Sequence, residues 1–301
     1  MSQAPFPPLP LPEWESTKKT LHRYIQIVGK IRMELTPPQN HWWHVPLYVN
    51  TRGLGTSPIP YKYNTFEINF DFLDHQLNVT TSRGEEESFN LVDGLSVSTF
   101  YHQLFDILDQ LDIEVQIKAV PYDITPNIPF SEDTLHKSYD EKYLTRFWKI
   151  LQQVDRVFRV FNQDFCGKVC PIQLYWHSLD LAVTRFSGKK APSMPDAGPI
   201  DKEAYSHEVI SFGFWPGDDN MREPAFYSYT FPAPEGLAQT QLEPTEAFWT
   251  EQNESPLAIL PYNAARSSGN TENTILQFLE SAYRAGIEKA EWDVDAIHQP
   301  V

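Results

Sequence analysis

His41 and His44 bracket the pair Trp42-Trp43 in the stretch Asn40 to Tyr61, NHWWHVPLYVNTRGLGTSPIPY, which also carries Arg52 and runs into an apolar segment that reads as a strand. An H-x-x-H spacing on a helical turn can turn two imidazoles to one side, the arrangement a divalent metal needs, and zinc then requires a further ligand. His207, with Glu208 beside it at the head of a later hairpin, is the residue best able to supply it, ahead of His75 and Asp74. The metal set is therefore His41, His44 and His207. The competing reading makes the tryptophans core plugs and gives the imidazoles to backbone partners, since no HExxH element or paired CxxC supports a metal. In an enzyme, His44 or His207 is the general acid or base, and Glu208 orients an imidazole or binds metal.

Arg185 stands in a strand otherwise made of Leu181, Ala182, Val183, Thr184 and Phe186, with Asp180 just before it. A charge on a half-buried strand needs a protein carboxylate or a bound anion, and strand alternation turns Asp180 and Arg185 to opposite faces. Arg52, beside Gly53 and Gly55, poses the same choice between anion clamp and structural ion pair. Cys166-Gly167-Lys168-Val169-Cys170 has C-x3-C spacing, neither a redox pair nor a zinc knuckle, and reads as two reduced thiols. Asp218-Asp219-Asn220 after Pro216-Gly217 is turn chemistry. No P-loop, Rossmann glycine pattern or G-x-S-x-G elbow is present.

These side chains must be positioned by helices and hairpins that occur twice. A helix from about Glu15 to Leu35 carries Leu21, Tyr24, Ile25, Val28, Ile31 and Leu35 on one apolar face and is closed by Pro37-Pro38. Leu144, Phe147, Trp148, Leu151, Val154 and Phe158 repeat that spacing at every position. After each helix comes a Leu-Tyr strand, Leu47-Tyr48 and then Leu174-Tyr175. Hairpins follow, Glu67 to Thr81 and Val209 to Phe231, and each half closes with a strand and a helix. A tail strand, Glu114 to Val120, and a Pro-rich linker join the halves. The expected fold is α+β, with internally duplicated helix-strands-helix halves forming one antiparallel sheet and helices packed on one face. The units are a Pro-rich arm (1–12), a first half (13–120), a linker (121–137), a second half (138–292) and a tail (293–301). The ligand pocket is expected at the seam between the halves; the alternative is two separate small domains.

The 301 residues hold 24 Lys+Arg against 40 Asp+Glu, a net charge of -16, so the average surface repels phosphate backbones and anionic lipid. Nucleic acid and membrane are not expected partners. With 41% hydrophobic and 14% aromatic residues the chain can fill a core. No apolar run follows Lys18-Lys19 as in a secretory signal and none is long enough to span a bilayer, so a cytoplasmic protein is expected.

The motifs NHWWHVPLY, RGL, TSPIPY, FEINFDF with LDHQL, LAVTRFSG, AYSHEV with GFWPG, EPAFYSY and LPYNA together resemble a bacterial family, domain of unknown function 5996, from Trp14 to Trp292. That resemblance implies no activity, substrate or cofactor. The residues themselves lead to a small-molecule site for an anionic metabolite, binding or enzymatic, walled by Trp42, Trp43, Tyr48, Trp215 and Tyr227. Its polar groups are His41, His44, Arg52, Arg185, His207 and Glu208. The alternatives are a non-catalytic module holding a protein partner through its Pro-rich arm, and a metal-dependent enzyme using the HWWH histidines.

Overall fold

A computed structural model describes residues 4–252, 254–294 and 297; most of the tail expected at 293–301 lies outside them. In chain order the elements are α1 (Leu11–Leu35), β1 (Tyr48–Val49), β2 (Gly53–Gly55), β3 (Ile59–Tyr61), β4 (Asn64–Asp71), β5 (Gln76–Thr81), β6 (Glu86–Asn90) and α2 (Val97–Gln110). They continue with α3 (Glu141–Asn162), β7 (Gln173–Tyr175), β8 (Asp180–Lys190), α4 (Pro199–Ala204), β9 (His207–Trp215), β10 (Ala225–Phe231), β11 (Phe248–Gln252), β12 (Ser255–Pro261), α5 (Tyr262–Ser267) and α6 (Thr271–Lys289). Three helix starts are capped by side chains: Ser96, Asp140 and Asn270 accept the amides of Thr99, Tyr143 and Asn273.

The fold is α+β, with the strands in two six-stranded antiparallel sheets rather than the single sheet expected. The first runs β1-β2-β4-β5-β6 with β3 on β4; the second runs β11-β12-β10-β9-β8-β7. They meet edge to edge at one bridge, where Leu47 and Leu174 exchange N–H···O bonds of 2.9 and 2.8 Å. The ladder stops there for a local reason. Val45 gives its N–H to the Trp42 carbonyl and its carbonyl to the Trp176 indole, so neither group is free to extend the pairing.

α1 starts at Leu11, inside the Pro-rich arm expected over 1–12, with Pro12 in the first turn where a missing N–H costs nothing. The arm before it lies on its own fold: Phe6 and Leu9 are buried, and the Pro7 carbonyl accepts from Tyr262 Oη at 2.8 Å. Every residue from Thr20 to Arg32 is buried, including the polar face that an amphipathic pattern would leave in water. Part of the cover is Trp176, against His22 and Lys30, and part is the segment expected to be a tail strand and a linker. No strand forms over 114–120. The chain there passes over α1, pairing Tyr122 N–H and C=O with the Gln26 side chain (2.8 and 2.9 Å) and sinking Asp133 against Arg23, with Nε to Oδ2 at 3.2 Å. Gly29 lies against Trp176, where a Cβ would stand 2.3 Å from the indole.

Candidate functional site

Strand alternation divides the second sheet into two chemically different faces. On β8 and β9 the paired residues Val183 and Phe212, and Arg185 and Ile210, face α3 and α6: the Phe161 ring is 4.8 Å from Phe212, and Ile210 meets Gly286 of α6. The opposite face carries small residues along its middle, Ala182, Thr184, Ser211 and Gly213, with Tyr227 paired to Gly213 and Tyr229 to Ser211 on β10. Hydroxyls crowd this face. Tyr227 Oη donates to Asp180 Oδ2 at 2.5 Å, and Ser178 Oγ bonds the other carboxylate oxygen. Tyr205 and Tyr229 share a hydrogen bond of 3.1 Å, Tyr175 Oη reaches Gln173 Oε1 at 3.4 Å, and Gln173 Nε2 donates to Tyr48 Oη at 3.2 Å. Tyr48 joins from the first sheet because its neighbour Leu47 bridges to Leu174.

Asp180 and Gln173 are buried, whereas the rings of Tyr48, Tyr175, Tyr205, Tyr227, Tyr229 and Trp215 keep some contact with solvent. Burial nonetheless pushes the phenols of Tyr175, Tyr227 and Tyr229 well above their usual range, with Asp180 adding to the shift at Tyr175 and Tyr227. The rings fill this face themselves: a Cβ on Gly213 would meet the Tyr227 ring at 2.3 Å. Two grooves lie elsewhere. One of about 280 Å³ lies against the first sheet at Tyr61, Arg83 and Glu114, and one of about 520 Å³ is lined by Pro8, His75 and Arg146.

The HWWH turn closes one end of the tyrosine face. His41 and Trp42 have φ of 56° and 61°, a left-handed conformation that costs non-glycine residues energy and is held here by contacts. His41 is buried, 4.7 Å from the Phe186 ring, and its amide donates to Glu203 Oε1 at 3.1 Å on α4. Its Nδ1 is 3.3 Å from the Ala204 carbonyl and its Nε2 is 2.7 Å from Lys168 Nζ. Only the neutral tautomer protonated on Nδ1 satisfies both partners. Burial and the Lys168 charge lower the His41 pKa accordingly. Burial also lowers that of Lys168, which arches over Trp43 and Phe186 with its ammonium 5.2 and 4.8 Å from their ring centres. Among the described residues no carboxylate lies within ion-pair distance, 4.0 Å, of Lys168.

Several expected members of the site stand here, and others do not. His207 faces His41, ring centres 5.5 Å apart, and Trp43, Tyr48, Trp215 and Tyr227 share the face. Glu208, one residue along β9, turns the other way and accepts from Ser187 at 2.8 Å, so it does not orient the His207 imidazole. His44 parts from His41: its Nδ1 accepts the Gln39 amide at 3.1 Å and its ring stacks on Trp42 at 5.3 Å. Among the described residues no three His, Cys, Asp or Glu side chains are placed to hold a metal ion.

The two expected anion clamps are already engaged. Arg52, between β1 and β2, is bound by Asp71 and Asp74. Arg185 lies on the helix face, donating to Asn162 Oδ1 at 3.1 Å and the Phe161 carbonyl at 2.5 Å, with the Phe161, Phe165 and Tyr283 rings 3.6, 4.8 and 4.4 Å from its guanidinium. Burial lowers its pKa to about 10. Both cysteines are free; Cys170 is buried, bonds Thr184 N–H at 3.0 Å, and burial pushes its thiol up to about 11. Asp218 caps its own turn through the amides of Asn220 and Met221 at 2.8 Å.

Sequence reasoning missed Lys168, Glu203, Asp180 as a buried acceptor, and Tyr175 and Tyr205. A period-two reading of β8 on the face opposite Arg185 could have found Asp180. No local pattern marks Lys168 or Glu203. No helix among the described residues is long and apolar enough to cross a membrane. No curated protein and no solved structure matches the chain. The sequence model of a family of unknown function, DUF5996, matches residues 6–299, nearly the whole chain, and the protein belongs to that family.

Proposed function

We propose that the protein binds a small organic acid on the tyrosine face of the second sheet, with the acid group directed to Lys168 and the rest of the molecule against the tyrosines. The observation that carries this reading is the row of half-buried hydroxyls around Asp180, Gln173 and the small-residue floor, an arrangement with more polar groups than a packing face needs. Lys168, whose carbonyl accepts the Phe186 amide, and Lys190, paired with His207, place positive charge towards one end of β8 in a chain of net charge -16. The ligand displaces the Tyr227 ring from Gly213 as it enters. His41 Nε2 and Lys168 then form a proton-sharing pair, the element through which the site would act on a bound acid. The proposal treats the two halves as related units with the site at their junction, supported by the bridge between the corresponding residues Leu47 and Leu174, and assigns the protein to the bacterial cytoplasm.

The test is thermal stabilisation and calorimetric titration with a panel of small carboxylic and hydroxycarboxylic acids, using wild type, Lys168→Met and Tyr227→Phe. At least one acid should raise the midpoint of wild type and bind about tenfold more weakly to Lys168→Met, the loss of one charge-assisted contact. If no acid binds, or both variants bind as wild type does, the reading fails.

A further inference from the structure

At the C-terminal end of α1, beside the HWWH turn, lies a corner where buried polar atoms, two of them N–H donors, are left without partners. Arg32 is 6% exposed. Its Nη1 donates to the Thr56 carbonyl, and its guanidinium lies 5.5 Å from the centre of the Tyr48 ring. Its Nε–H has no partner. One turn further along, the Thr36 hydroxyl is also buried and unpartnered, and so is the Trp42 indole N–H. Of the buried polar side-chain atoms without partners among the described residues, these three fall within eleven residues of chain. His44 stacks on Trp42 and has its Nδ1 occupied as acceptor by the Gln39 amide, so its Nε2 carries the proton as a further donor with no acceptor among the described residues.

The charge balance of the corner is as one-sided as its hydrogen bonding. No described carboxylate lies within 4.0 Å of Arg32. The carbonyl end of the helix and the Thr56 carbonyl offer partial negative charge, but they leave Nε–H unsatisfied. A buried cation without a carboxylate partner, whose own Nε–H is also unmet, is costly. A carboxylate answers both deficits, bringing a full negative charge and only acceptor lone pairs. Burial and the Arg32 charge lower the His44 pKa, in keeping with a corner that lacks an anion of its own.

We propose that this corner is a second ligand site, which binds a small carboxylate between Arg32 Nε–H and the Trp42 indole N–H. It adjoins the tyrosine face at Tyr48 but does not depend on that reading. The Arg32 site is built from α1 and the turn at Thr36 to His44, whereas Lys168 lies beside β8 of the second sheet.

The experiment uses uniformly 15N-labelled full-length protein in chloride buffer, titrated with sodium acetate and separately with sodium phosphate at matched ionic strength. The Trp42 indole and Arg32 Nε–H signals are assigned by their loss in Trp42→Phe and Arg32→Lys. Acetate should shift both signals downfield together with one saturable isotherm. Arg32→Lys keeps the charge but lacks Nε–H, and should weaken acetate binding, followed through the Trp42 signal, about tenfold or more. Lys168→Met should leave it unchanged. If Arg32→Lys does not fold, Trp42→Phe takes its place, with the Arg32 signal as the readout. Signals that stay fixed in acetate, drift without saturating, or saturate only with phosphate overturn the proposal. So does strong exchange of both donors with bound water that acetate does not alter.

Discussion

α1 and α3 carry the same apolar spacing, Leu21 to Leu35 against Leu144 to Phe158, and yet end in opposite environments. Along α3 the apolar face is buried while Glu141, Lys142, Arg156 and Arg159 stay in water. Along α1 every residue from Thr20 to Arg32 is buried, because the segment around Tyr122 to Asp133 and Trp176 cover the polar side. An identical hydrophobic stripe therefore sets which side of a helix is buried first, and leaves open whether the other side is buried too. The corresponding arginines show the consequence. Arg146 of α3 is half-buried, 4.9 Å from the Tyr143 ring, and reaches the Pro8 carbonyl. Arg23 of α1 is 1% exposed, pairs with Asp133, and donates to the carbonyls of Lys19, Thr125 and Pro126.

The largest effect should come from removing the partner of the buried arginine. Asp133→Ala strands Arg23 and also removes the acceptor for the His136 ring and the amides of Leu135 and His136. It should cost about 3–5 kcal/mol in a denaturant melt, while Arg146→Ala on α3 stays under about 1 kcal/mol. Comparable losses would mean that the two polar faces are equally supported.

Acid should act on the same contrast. Burial lowers the His22 pKa from 6.5 to about 3, with the Lys18 charge adding to the shift, so the folded state holds His22 neutral where the unfolded chain would protonate it. Between those values the unfolded state binds more protons, and stability rises with pH. The contribution is complete above about pH 6.5 and falls away as pH drops towards 3, by up to about 4 kcal/mol. Denaturant midpoints measured from pH 7 to pH 4 should fall for wild type and flatten in His22→Gln; an unchanged slope in the variant would assign the acid sensitivity to other groups.

A smaller effect, but one with a reversed sign, is expected at Gly29. Replacing a helical glycine by alanine ordinarily stabilises by about 1 kcal/mol. Here the new methyl would meet the Trp176 ring, so Gly29→Ala should destabilise by about 1–3 kcal/mol. At the corresponding place on α3, Gln152→Ala should change stability by no more than about 0.5 kcal/mol. A stabilised Gly29→Ala protein would show that α1 and Trp176 are not in close contact.

Much of the local architecture was legible in advance. The spacing of Leu21 to Leu35 and of Leu144 to Phe158 marks α1 and α3, the hairpins β4-β5 and β9-β10 follow from period-two alternation, and His41 and His207 were expected to approach each other. The segment 114–137 misled, because proline-rich sequence without periodicity reads as a spacer whether it hangs free or packs. Arg52 and Arg185 were each recognised as needing a partner. For Arg185 the answer is an aromatic cage with carbonyl and amide acceptors, which no nearby residue announces. β11, α4 and α5 were missed because each is too short to establish a period.

By itself the sequence determined the α+β class, the faces of the principal helices and strands, and membership of the family. Those properties follow from repeats of 3.6 and 2 residues, which backbone geometry imposes within a few turns or strand residues. Only the tertiary structure decided that two sheets meet at Leu47 and Leu174, that Asp133 lies against Arg23, that Lys168 caps His41, and that Arg32 is buried with a donor to spare. Each of these depends on which distant segments pack together, and that is set by the mutual fit of whole surfaces, which no local period records.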